Sequence, residues 1–113
     1  MSETEVITGE APLRYAQALL ELAEDAKSLS AIEKDVKSLK AMFADSADLS
    51  ALIESPVFAT EDKVVALTGV AKKAKLKPLT VQFVGLVAQN RRAAELPKIL
   101  SAFEEMVARR KGS

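Results

Sequence analysis

The chain has 113 residues, enough for one domain, and its sixteen basic and sixteen acidic side chains cancel, so overall charge directs it neither to nucleic acid nor to an acidic target. It contains no cysteine and no histidine, which removes disulfides, thiolate metal sites and imidazole base chemistry, and fits a reducing compartment. Hydrophobic residues make up 49% and aromatic ones only 4%, so the core is expected to be Ala, Leu and Val packed between close helices.

Met1 to Glu10 carries Glu3, Glu5 and Glu10 and no basic residue, which is not the pattern of a signal peptide; residues 1–11 are expected to be a frayed tail. The first helix is predicted from about Pro12, a residue tolerated in a first turn, to about Lys27. The second begins at Ser30, where Glu33 three places on completes a capping-box pattern, and carries the narrow stripe Ile32, Val36, Leu39 and Phe43. The third is short: Ser46 caps it, Leu49, Leu52 and Ile53 follow, and Ser55-Pro56 ends it because the residue before proline is pushed out of the helical region. Val57 and Phe58 lie in an apolar connector.

Thr60 is the expected cap of the fourth helix, with Glu61 and Asp62 in its first turn, the stripe Val64, Leu67, Ala71 and Ala74, and Lys72 to Lys77 at its end, where the dipole favours positive charge. Pro78 opens the fifth helix, which runs to about Asn90. Arg91 to Glu95 reads as a turn. Pro97 sits near the start of the sixth helix, whose stripe is Ile99, Leu100, Phe103, Met106 and Val107. Residues 111–113 read as the start of a linker or a cut end. No segment alternates with period two, so the fold class is all-α, a single six-helix bundle over residues 12–110. No apolar run approaches the roughly 18–20 residues that a membrane span needs, and direct membrane insertion is not expected.

Helices two, four and six each keep their apolar residues on one narrow face, the usual sign of a single buried side. The first and fifth do not: each spreads apolar residues over roughly 220°, against the roughly 100° stripe of a half-buried helix. In the first, Ala16, Leu20 and Ala23 face one way and Tyr15, Ala18, Leu19 and Leu22 another. In the fifth, Val81, Val84 and Ala88 oppose Leu79, Phe83, Leu86 and Val87. Two explanations fit. Both helices are central and buried all round, or they pack side by side and leave an apolar groove that receives an amphipathic helix from a partner.

Catalytic chemistry is not expected. The four glycines are isolated, so there is no phosphate loop, and the neighbouring carboxylates Glu24-Asp25 and Glu104-Glu105 diverge on helix surfaces. No catalytic, cofactor-binding or metal-ligating residue is assigned. Lys72–Lys77 and Arg91-Arg92 raise an alternative, a helical nucleic-acid-binding module, if a hairpin of the fourth and fifth helices brings the two clusters together; dipole complementation is the plainer account. Self-association through the apolar surplus is a third reading.

Arg14-Tyr15-Ala16-Gln17-Ala18-Leu19-Leu20-Glu21-Leu22-Ala23 resembles the opening helix of the delta subunit of F-type ATP synthases, the oligomycin-sensitivity-conferring protein of mitochondria. Phe83 to Arg92, followed by Leu96-Pro97-Lys98-Ile99, is similar to that family's fifth helix and its turn into the sixth, and Ser55-Pro56-Val57-Phe58 followed by Lys63 resembles its mid-domain pattern. The resemblance covers about Pro12 to Arg110 and only the family's N-terminal domain. It implies a non-catalytic stator subunit, needing no cofactor, on the cytoplasmic face of the bacterial inner membrane as a peripheral part of the synthase. Its groove between the first and fifth helices would hold the amphipathic N-terminal helix of an alpha subunit. A C-terminal domain without counterpart here would meet the b-type subunits of the peripheral stalk, and together they would keep the catalytic head from turning with the rotor. Carried onto this sequence, the groove is expected from Tyr15, Ala18, Leu19, Leu22, Phe83, Leu86, Val87 and Asn90. The apolar side of each helix that faces the groove is not fixed by periodicity, and Leu86 is open to assignment to the core.

Overall fold

The computed structural model describes residues 11–112; the expected tail, apart from Ala11, and Ser113 lie outside the described residues. Among the described residues six α-helices follow one another: α1 (Ala11–Asp25), α2 (Leu29–Asp45), α3 (Ala47–Glu54), α4 (Thr60–Lys73), α5 (Pro78–Gln89) and α6 (Leu96–Gly112), with a 3-10 turn over Ala93–Glu95 before the last. Among the described residues there is no strand, and the all-α bundle is as expected.

Three of the corners share one device. After α1, α4 and α5 the chain passes through Lys27, Lys75 and Arg91 with φ of 53°, 63° and 63°. At each, the next amide donates back across the corner, Ser28 to the Ala23 carbonyl (2.9 Å), Leu76 to Ala71 (3.1 Å) and Arg92 to Val87 (3.0 Å). These are Schellman ends, in which a left-handed residue lets two otherwise orphaned carbonyls find donors. Glycine is the usual occupant; here a cation takes the position, next to the negative end of the helix dipole.

This geometry corrects several boundaries. α1 stops at Asp25 because Lys27 is already left-handed. α2 starts at Leu29, directly after that corner, with the Ser28 carbonyl accepting from Ile32, so Ser30 lies inside the helix and the expected capping box does not form; Glu33 pairs instead with Lys111 at 3.1 Å. α4 begins at Thr60 itself with Ala59 as the cap, although Glu61 and Asp62 occupy its first turn as expected, and Ala74 is an exposed end residue rather than part of the stripe. α6 continues through Lys111 and Gly112. Two signals hold as read. Ser46 accepts from the Leu49 amide at 3.1 Å as the cap of α3, and Pro78 stands at the start of α5.

The start of α5 is also held from outside. Asp35 on α2 is buried, and its Oδ2 accepts from the Lys77 amide (2.8 Å) and from the Thr80 hydroxyl (2.6 Å). A carboxylate from another helix thus caps α5, and the buried Thr80 hydroxyl is satisfied.

α1 packs mainly against α6, and α4 against α5. The core runs between these pairs: Ala16, Leu19, Leu20 and Ala23 of α1 meet Ile99, Leu100, Phe103 and Val107 of α6 in one cluster with Val36 and Leu39 of α2 and Val84 and Val87 of α5. α5 approaches α4 closely at Gly85, where a Cβ would stand 3.0 Å from the Thr68 methyl.

Candidate functional site

α1 carries two apolar stripes rather than one broad one. The core stripe is Ala16, Leu19, Leu20 and Ala23, all buried. The other is Ala11, Tyr15, Ala18 and Leu22, which with Arg14 forms one wall of a groove between α1 and α5; Phe83, Leu86 and Arg92 form the other. The cavity measures about 340 Å³. Part of its apolar surface is exposed: Leu22 is 45% and Leu86 47% accessible, and Ala18 is exposed as well. Leu86 is therefore a surface residue, not core.

The floor is rigid. The Tyr15 and Phe83 rings meet edge to face, centroids 6.4 Å apart at 71°, and the Asn90 amide nitrogen donates to the Tyr15 hydroxyl at 2.8 Å. An edge-to-face pair contributes roughly 0.5–1.5 kcal/mol beyond burial. Both contacts are made by Tyr15, one to Phe83 inside α5 and one to Asn90, the residue that follows its last turn. The charged residues of the lining are both cations, Arg14 and Arg92, and Arg92 Nη1 lies 3.4 Å from both carboxylate oxygens of Glu95.

The structure thus brings together Tyr15, Ala18, Leu22, Phe83, Leu86 and Asn90. It removes Leu19 and Val87, which have no accessible surface and belong to the core. On α1, Leu19 lies about 60° from both Ala16 and Leu22, so pattern alone leaves it between the stripes. Packing against α6 decides it. Val87 is similarly placed, about 60° from Val84 and about 40° from Phe83, which is itself nearly buried. Ala11, Arg14 and Arg92 were not among the expected lining. The repeat 11, 15, 18, 22 is the signal for Ala11; Arg92 reaches the groove only because the left-handed Arg91 turns the chain back. Val81, expected on the core side of α5, is half-buried and borders a second depression of about 830 Å³ against Val64 and Leu76 of α4. Gln89 faces that depression, so of the two amides at the end of α5 only Asn90 is engaged with α1.

The basic clusters are not brought together. Lys72–Lys77 occupies the α4–α5 corner and Arg91-Arg92 follows the opposite end of α5, about 18 Å away for twelve helical residues. The hairpin that was to join them separates them. Among the described residues no group of acidic side chains is arranged to hold a metal ion, and no helix is long and apolar enough to cross a membrane.

Comparison with known proteins shows the family. The profile of the ATP synthase delta (OSCP) subunit family matches residues 12–113. The chain is 52% identical over 91 residues to the ATP synthase subunit delta of Phenylobacterium zucineum (strain HLK1), covering 80% of this chain and 50% of that protein. It is 54% identical over 99 residues to that of Caulobacter vibrioides (strain NA1000 / CB15N), covering 88% and 54%, and 44% identical over 112 residues to that of Brucella anthropi, covering 99% and 60%. The chain therefore spans between half and three-fifths of the length of these curated relatives. This chain, whose described residues form six helices and which matches that profile over nearly its whole length, belongs to the ATP synthase delta (OSCP) subunit family.

Proposed function

We propose that this domain is the gripping end of a stator subunit, and that the groove between α1 and α5 holds the amphipathic N-terminal helix of an alpha subunit. The observation that supports it is the groove itself: the half-exposed Leu22 and Leu86 and the small, exposed Ala18 line it together with the Tyr15–Phe83 ring pair. Small residues allow a helix backbone to approach, and leucine walls accept its apolar face. Burying a leucine fully is worth about 1.5–3 kcal/mol, so covering each half-exposed one contributes roughly 1 kcal/mol. The Tyr15–Asn90 contact offers polar groups at one edge to fix register.

The role is mechanical. Held by the alpha helix on one side, and joined through a second domain to b-type stalk subunits on the other, the subunit resists rotation of the catalytic head. Rotor torque then goes into ATP synthesis. The subunit works as a peripheral component at the cytoplasmic face of the bacterial inner membrane and does no nucleotide chemistry of its own. A calorimetric titration with a synthetic peptide of the cognate alpha-subunit N-terminus tests the reading: saturable binding is expected, and its absence with a folded domain sinks it.

A further inference from the structure

The partner-helix reading leaves the groove uncovered whenever the domain is not assembled. We propose that residues 1–10 of this same chain occupy it then and compete with the incoming helix. Three observations converge. Ala11, the first residue of α1, itself lines the groove, so the preceding chain leaves from the groove's edge. The charged groups of the lining are Arg14 and Arg92, while residues 1–10 hold three of the sixteen acidic side chains, Glu3, Glu5 and Glu10, and none of the sixteen basic ones. Among the described residues Arg14 has no carboxylate partner. Finally, the segment, polar or small apart from Met1, contains the adjacent apolar pair Val6-Ile7, with Gly9, a residue type free to reverse a chain, two places on. Extended at about 3.3 Å per residue, five residues reach up to roughly 17 Å from Ala11, about the length of the groove along α1 from Ala11 to Leu22 at 1.5 Å per residue.

A tether this short holds the segment at an effective concentration of the order of millimolar, so even a millimolar intrinsic affinity fills the groove about half the time. The competitive part of the proposal rests on the partner-helix reading; the docking itself does not. The chain has no cysteine, so Ser2→Cys carries a single nitroxide label. Methyl signals of Leu22 and Leu86 are expected to broaden, those of Val57 in the α3–α4 connector to stay sharp, and the Val6→Asp/Ile7→Asp variant to abolish the effect. Broadening no greater at Leu22 and Leu86 than at Val57, or unchanged in that variant, overturns the docking. The same variant without the label is expected to bind the alpha-subunit peptide about twofold tighter or better; equal affinity overturns the competition. A peptide that binds neither form defeats the partner reading, and the label experiment then decides the docking alone.

Discussion

Leu19 and Leu22 are one turn apart and chemically identical, yet they do different work. Leu19 has no accessible surface and touches the α6-facing core; Leu22 is 45% exposed above the groove. Truncating Leu19 to alanine leaves a cavity in a close-packed interior and should cost about 2–5 kcal/mol. Truncating Leu22 should cost about 1 kcal/mol, since nearly half of it stays in water and no close-packed cavity is left behind. Urea melts of the two variants separate the roles; equal losses would return Leu22 to the core. Periodicity does not make this distinction, because Leu19 sits midway between stripes and only the position of α6 places it.

At the scale of elements, helix existence was legible and helix ends were not. Every apolar stripe of the second, fourth and sixth helices points inward except at its margins, because a 3.6-residue repeat is a property of the chain itself. The capping signals at Ser30 and Thr60 failed for a local reason. The Schellman corner at Lys27 leaves no room for a Ser30 cap, and Ala59 takes the position ahead of Thr60. The cap that does matter for α5, Asp35, comes from forty-two residues earlier, a distance that no local pattern reports. The α4–α5 contact makes its own prediction. Thr68 is β-branched and its hydroxyl donates to the Val64 carbonyl at 2.7 Å, so its methyl group cannot swing away from a new Cβ at position 85. Gly85→Ala should therefore destabilise by roughly 1–3 kcal/mol despite a helix-propensity gain of about 1 kcal/mol. Adding Thr68→Ser, which removes the methyl and keeps the hydroxyl, should recover most of the loss; a stabilised single variant would refute the close approach.

At the scale of the molecule, the groove lies on a seam. α1 belongs to the pair it makes with α6, and α5 to the pair it makes with α4; the groove forms where the pairs meet. The body is flat, 42 × 36 × 22 Å, with a radius of gyration of 13.8 Å. The existence of surplus apolar surface on α1 and α5 was readable from their broad arcs. Its division into core and groove was not: Leu19, Phe83 and Val87 are buried, while Leu22 and Leu86 of the same arcs are about half exposed. On the proposed reading, a partner helix lying on the seam would touch both pairs and bind only the folded state. Peptide at a hundred times its Kd should then raise unfolding stability by about 2.7 kcal/mol. An unchanged denaturation midpoint under saturating peptide would show that the bound state is not the folded bundle.

The central claim is that the α1–α5 groove is the grip. It is tested most directly by measuring alpha-subunit peptide affinity for Ala18→Asp and Leu86→Asp beside Val57→Asp. All three positions are exposed, so each variant should fold. The account predicts binding weakened at least about tenfold by either groove substitution, the equivalent of about 1.4 kcal/mol, with Val57→Asp matching the parent. Parental affinity in both folded groove variants would contradict it.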